Sequence, residues 1–185
     1  MELIGLYLVA CGLLIAAGVA KAIRPSDTAR ALAGLLSAPI PMPRMRTVVR
    51  IGSIAEAALG SVALLVPHAA SAWLVGLSYA TFAVIVYFAR SKGGAIASCG
   101  CFGTPDTPAT MLHVIVNAGL AISAAAVAVA APTGTIVSIL SPQPLYGLPL
   151  VAASALCGWL MYVAFSVLAR LQAARRLTAI SFRSR

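Results

Sequence analysis

Residues 48–89 read VVRIGSIAEAALGSVALLVPHAASAWLVGLSYATFAVIVYFA, two apolar runs separated by Pro67-His68. A helix needs about 20 apolar residues to cross a hydrocarbon core, and each run meets that length. The proline between them predicts a tight helical hairpin. Three further runs of the same kind lie outward from this hairpin, at 3–20, 110–131 and 148–169. Pro108 and Pro132 stand at span boundaries and Pro149 at a first-turn position, where a missing N–H costs least. The whole chain agrees with this reading: of its 185 residues 61% are hydrophobic and 9% charged, and the mean hydropathy is +1.00. Water-soluble domains carry roughly 25% charged residues. The composition therefore excludes a soluble enzyme, a disordered chain, a coiled coil and a secreted disulfide scaffold. The predicted fold is all-α, a polytopic membrane helix bundle forming one integral membrane domain over 1–185. The first span is expected to be retained. Its leading segment has Glu2 and no basic residue, and Ala20-Lys21-Ala22 is a weak cleavage site.

The net charge of +9 comes from 13 basic and 4 acidic residues. The basic residues share one side of the five-span layout. Lys21, Arg24, Arg30, Arg44, Arg46 and Arg50 fall between the first two spans. Arg90 and Lys92 follow the third, and Arg170, Arg175, Arg176, Arg183 and Arg185 form the tail. The hairpin tip and the 132–147 connection have none. A nucleic-acid face would need these charges clustered on a soluble surface, so no nucleic-acid partner is expected. The positive-inside rule predicts an outside N-terminus and a cytoplasmic C-terminus in a bacterial inner membrane.

Ser26-Asp27-Thr28 reads as a helix start, and Ala29, Leu32, Ala33 and Leu36 follow at helical spacing. Residues 27–37 are thus predicted to form a short interfacial helix. Pro39, Pro41 and Pro43 are read as an extended return to the second span. The tail 170–185 places apolar residues among arginines and suits an anionic leaflet, chiefly as a topology anchor.

A carboxylate near the centre of a membrane helix costs about 2.5–3.5 kcal/mol on insertion scales, so Glu56 needs a reason. It lies ~12 Å below the basic side, on a stripe with Gly52 and Gly60, Ser53 and Ala57 beside them, that predicts close approach of another helix. His113 and Asn117 share one face of the fourth span, roughly 5 and 10 Å deep from the same side. The three are expected to meet in one layer, as a proton relay or as an interhelical hydrogen-bond clamp.

Ser98-Cys99-Gly100-Cys101-Phe102-Gly103 precedes the fourth span. Two cysteines one residue apart lie at most ~7 Å apart, within reach of a strained, readily reduced disulfide. The rival readings are inert loop cysteines and half of a zinc or copper(I) site with His113 as third ligand, less favoured because no fourth ligand is evident. Cys11 and Cys157 lie at similar depth in the first and last spans. They are expected to be buried free thiols, which would touch only if those spans are neighbours. No hydrolase triad or phosphate-binding glycine loop is present.

With these residues in hand, the sequence resembles the MauE/DoxX-like family of redox-associated membrane proteins. The likeness rests on Cys99-Gly100-Cys101-Phe102-Gly103, Glu56 and Asn117, and on the basic, proline-containing connection after the first span. It covers roughly 1–131. The resemblance implies a DoxX-like four-helix core, here followed by a fifth C-terminal span. It implies redox work beside a thioredoxin-like partner during maturation of an exported enzyme, with thiol, sulfur or quinone chemistry in relatives. On that basis Cys99 and Cys101 are the expected redox pair, with Glu56 and His113 moving protons and Asn117 orienting them. The identity of any cofactor stays open, a quinone being compatible. Alternatives of other classes are a non-catalytic assembly subunit of a larger membrane complex and a metal-handling protein. One tension stands: an exported substrate calls for an outward cysteine pair, whereas Arg90 and Lys92 place it inside. A connection folded back into the bundle, a cytoplasmic electron donor or a different partner would each resolve it.

Overall fold

The computed structural model describes residues 3–36, 40–91 and 110–164, and all regular structure among them is helical. The elements are α1 (Leu3–Ile23), α2 (Pro25–Leu36), α3 (Met42–Leu65), α4 (Ala69–Ser91), α5 (Met111–Ala130), α6 (Ile136–Leu140) and α7 (Leu148–Val163), with a 3₁₀ turn at Pro144–Gly147 before α7. Five of the described helices are long and apolar enough to cross a membrane: α1, α3, α4, α5, and α7 with its preceding turn. The all-α bundle and its five spans agree with the sequence. Helices suit this setting because every interior backbone N–H and C=O is paired within the segment, which hydrocarbon demands.

Two element boundaries differ from expectation. The interfacial helix begins at Pro25 and packs on α3, burying Ala29 against Met45 and Val49. The second span begins at Met42 rather than Val48: Pro41 is its N-cap and Pro43 sits in its first turn. The prolines therefore start the helix instead of extending the connection, since a first-turn residue has no intrahelical N–H bond to lose. The 132–147 connection folds into α6 and the 3₁₀ turn, with Thr135 capping α6 by accepting from the Ser138 amide. Cys99, Cys101, the end of the fifth span and the basic tail lie outside the described residues.

The bundle is organised around α1, which packs against α3, α5 and α7, while α4 packs along α5. Lipid tails are as apolar as leucine, so helices associate in membranes through close van der Waals contact. Glycine at the α1–α3 crossing supplies it. A Cβ on Gly18 would lie 2.7 Å from Ser53 O and 2.8 Å from Ala57 N, and one on Gly60 would lie 2.9 Å from Ile15 Cγ1 and 3.0 Å from Cys11 O. The two helices thus run antiparallel with backbones nearly touching. Gly52, by contrast, has nothing within 4 Å of its Cβ position. Of the small-residue stripe, Ser53, Ala57 and Gly60 make the contact and Gly52 does not, a rotation that turns Glu56 toward the flank of the crossing.

Several hydroxyl groups in the spans return to their own helices. Ser53 Oγ donates to Val49 O at 2.7 Å, Ser61 to Ala57 O at 2.8 Å and Thr81 to Leu77 O at 2.8 Å. Tyr79 on α4 instead crosses to α1, donating to Ala10 O at 2.6 Å. The core beneath it holds Tyr7, Cys11, Leu14 and Val75, all fully buried. The fifth spanning helix is peripheral. Ser154 is its one buried residue among those described, and Ser154 Oγ donates to Gly5 O at 3.2 Å.

Candidate functional site

Antiparallel packing of α1 and α3 brings the C-terminal end of α1 beside the first half of α3. In a helix each Cα–Cβ bond tilts toward the N-terminus. Lys21, near the end of α1, therefore reaches back into the bundle, while Glu56 leans the other way, toward the start of α3. The two side chains meet: Lys21 Nζ donates to Glu56 Oε2 in a part-buried ion pair. The lysine side chain is 6% exposed and the glutamate 23%. Lys21 Nζ also lies 4.4 Å from the centroid of the Phe82 ring on α4, a cation–π geometry. Phe82 is held in turn by an edge-on contact with Tyr79, centroids 6.1 Å apart and planes at 84°. Three helices thus converge on one ammonium group.

The sequence marked Glu56 as a residue that needs a partner, but looked for it on α5. Lys21 entered only as one of the basic residues that set topology. A signal was present: Glu56 is the one carboxylate within the five apolar spans, and Lys21 is the basic residue nearest the apolar part of the first. Phe82 and Tyr79 carried no distinguishing signal, being two aromatics in an apolar run.

His113 and Asn117 do come together. Thr110 precedes α5, and its backbone N–H donates to His113 Nδ1 at 3.4 Å, with Thr110 Oγ1 2.7 Å from the same nitrogen. Because the amide can only donate, Nδ1 is an acceptor, and the ring proton of the neutral imidazole belongs on Nε2. Asn117 Nδ2 donates to His113 O at 2.7 Å. Both side chains are buried. In the layer expected from depth, Glu56 is met by Lys21 from α1, and His113 and Asn117 make contacts within the first turns of α5.

Among the described cysteines, Cys11 and Cys157 are both free thiols. Their spans are neighbours, as Leu150 and Ser154 against Gly5 attest. Cys11 is fully buried and Cys157 packs, partly exposed, against the same apolar core.

The geometry that matters is now complete: an intramembrane ion pair near one end of a bundle, and a capped, buried histidine at the start of α5. The family model for the methylamine utilisation protein MauE matches residues 2–131. The chain belongs to the MauE family. The match spans α1 to α5 and stops at Ala131, the left-handed residue with φ 45° that ends α5. It includes Lys21, Glu56, Phe82, His113, Asn117 and the Cys99–Cys101 segment, and leaves α6 and α7 outside. No curated protein and no solved structure matches the chain. This MauE-family protein is accordingly a multi-pass membrane protein of a family named for methylamine utilisation, with an added fifth spanning helix.

Proposed function

We propose that this MauE-family protein is a membrane-embedded thiol–disulfide redox protein that exchanges electrons with a thioredoxin-like or other redox partner in the maturation of an exported enzyme. Cys99 and Cys101 are the redox pair. In the reducing direction one thiolate attacks a partner disulfide to form a mixed disulfide, and the second thiolate displaces the partner. Two electrons leave the cysteine pair, which becomes a disulfide, and the partner becomes a dithiol. Two protons accompany them from the cysteine thiols to the partner thiolates. Glu56 and His113 handle these protons and Asn117 holds the turn that presents His113. Arg90 at the end of α4 favours the attacking thiolate.

The observation that carries this reading is the part-buried Lys21–Glu56 pair at the end of the bundle where α4 stops and α5 starts, the two helices that bracket the Cys99–Cys101 connection. Membranes rarely retain ionisable side chains without work for them. By the positive-inside rule the chain sits in a bacterial inner membrane with its N-terminus outside and its C-terminus in the cytoplasm. The decisive variant is Cys99→Ser/Cys101→Ser. It should insert and fold as the parent does but leave the exported enzyme immature, and full maturation in cells carrying only this variant contradicts the proposal.

A second reading, an assembly subunit of a larger membrane complex, draws on α7. That helix lies outside the family match, buries Ser154 alone among its described residues, and exposes Leu156, Trp159 and Leu160. It predicts dispensable cysteines and a complex lost when the exposed face of α7 is changed.

A further inference from the structure

Among the described residues the carboxylates are Asp27 and Glu56, and both are taken: Asp27 by Arg30 and Glu56 by Lys21. Three arginines around the junction of α1 and α3 meet no carboxylate among the described residues. Arg50 Nε donates to Ala22 O at 3.2 Å, fixing its guanidinium at the C-terminal end of α1. Arg24 follows two residues after that carbonyl, and Arg46 lies one turn from Arg50 on the same face of α3. Antiparallel packing of the two helices sets Arg24 level with the first turns of α3. All three are exposed. Three like charges gathered at one helix junction repel, and an anion among them would relieve that repulsion.

The surroundings define what kind of anion. On the side toward the membrane interior, Ile54 lies one turn below Arg50 on the same face of α3, Ile51 and Ile23 follow and precede Arg50 and Arg24 in the chain, and the three are 55%, 64% and 69% exposed. A cationic cluster bordering an uncovered apolar stripe complements a molecule with an anionic head and a hydrocarbon tail. Planar guanidinium groups pair with phosphate oxygens bidentately, which favours a phosphate head over a carboxylate of the same charge. We infer that Arg24, Arg46 and Arg50 form a binding site for the headgroup phosphate of an anionic phospholipid in the leaflet on the basic side, with its acyl chain lying along Ile23, Ile51 and Ile54.

The test is thermal unfolding of the full chain in neutral detergent, titrated with phosphatidylglycerol, phosphatidylcholine or inorganic phosphate. Phosphatidylglycerol should raise the midpoint saturably, and the other two should not. Arg24→Gln/Arg46→Gln, which leaves the Arg50–Ala22 bond in place, should need at least tenfold more phosphatidylglycerol for the same shift while matching the parent without lipid. Equal shifts from phosphatidylcholine, a shift reproduced by inorganic phosphate, or an unchanged titration in the double variant overturns the inference. Should that variant fold poorly, Arg46→Gln alone is titrated against the same criteria.

Discussion

At the residue scale, the account turns on Lys21 and Glu56. Removing one member of this part-buried pair strands a charge, at a cost below the about 3–5 kcal/mol of a fully buried pair, whereas replacing both with neutral groups of similar volume is close to neutral. Lys21→Met and Glu56→Gln should each lower the unfolding midpoint in detergent markedly, and Lys21→Met/Glu56→Gln should recover most of the loss. A structural pair predicts that activity recovers along with stability in the double variant. The proton-handling role predicts restored stability without restored exchange, because Gln at position 56 neither takes nor gives a proton. Glu56 was legible in the sequence because a carboxylate in an apolar run is conspicuous on cost alone. Its partner was not, because a lysine near a helix end normally faces water, and only the tilt of its Cβ toward the helix N-terminus turns it inward.

Elements were legible wherever hydropathy decides them, which is why five apolar spans and the hairpin at Pro67 were found, while the start of the second span was misplaced because Pro41 and Pro43 begin its helix. The rotation of the spans about their own axes was not legible, since in a membrane the buried and lipid-facing sides are equally apolar. That is the reason Gly52 was grouped with Gly60 although only Gly60 meets α1. The distinction has a measurable consequence. Gly60→Ala and Gly18→Ala press a methyl group against neighbouring atoms closer than 3.0 Å, including the α3 backbone at Gly18, and overpacking of this kind costs about 1–3 kcal/mol. Gly52→Ala, with nothing within 4 Å, should change stability by less than about 0.5 kcal/mol. Unfolding of the three variants in the same detergent checks the ranking, and equal losses at all three positions contradict the packing described.

Across the whole molecule, the family match ends where α5 ends: α1 to α5 form the MauE segment, and α7, outside it, packs against α1. The charge distribution, read from the sequence alone, gives this body its proposed orientation, and the buried Lys21 shows that not every basic residue counted there is a free topology charge. The central claim is that Cys99 and Cys101 cycle between thiol and disulfide at the cytoplasmic end of the bundle. The most direct measurement is maleimide labelling of single-span-cysteine-free protein (Cys11→Ser/Cys157→Ser) in acid-quenched cells, intact and opened, before and after reduction. The account predicts no labelling in intact cells and, in opened cells, a fraction of Cys99 and Cys101 that labels only after reduction. Complete labelling in opened cells without any reduction would mean that the pair never leaves the thiol state, and would contradict it.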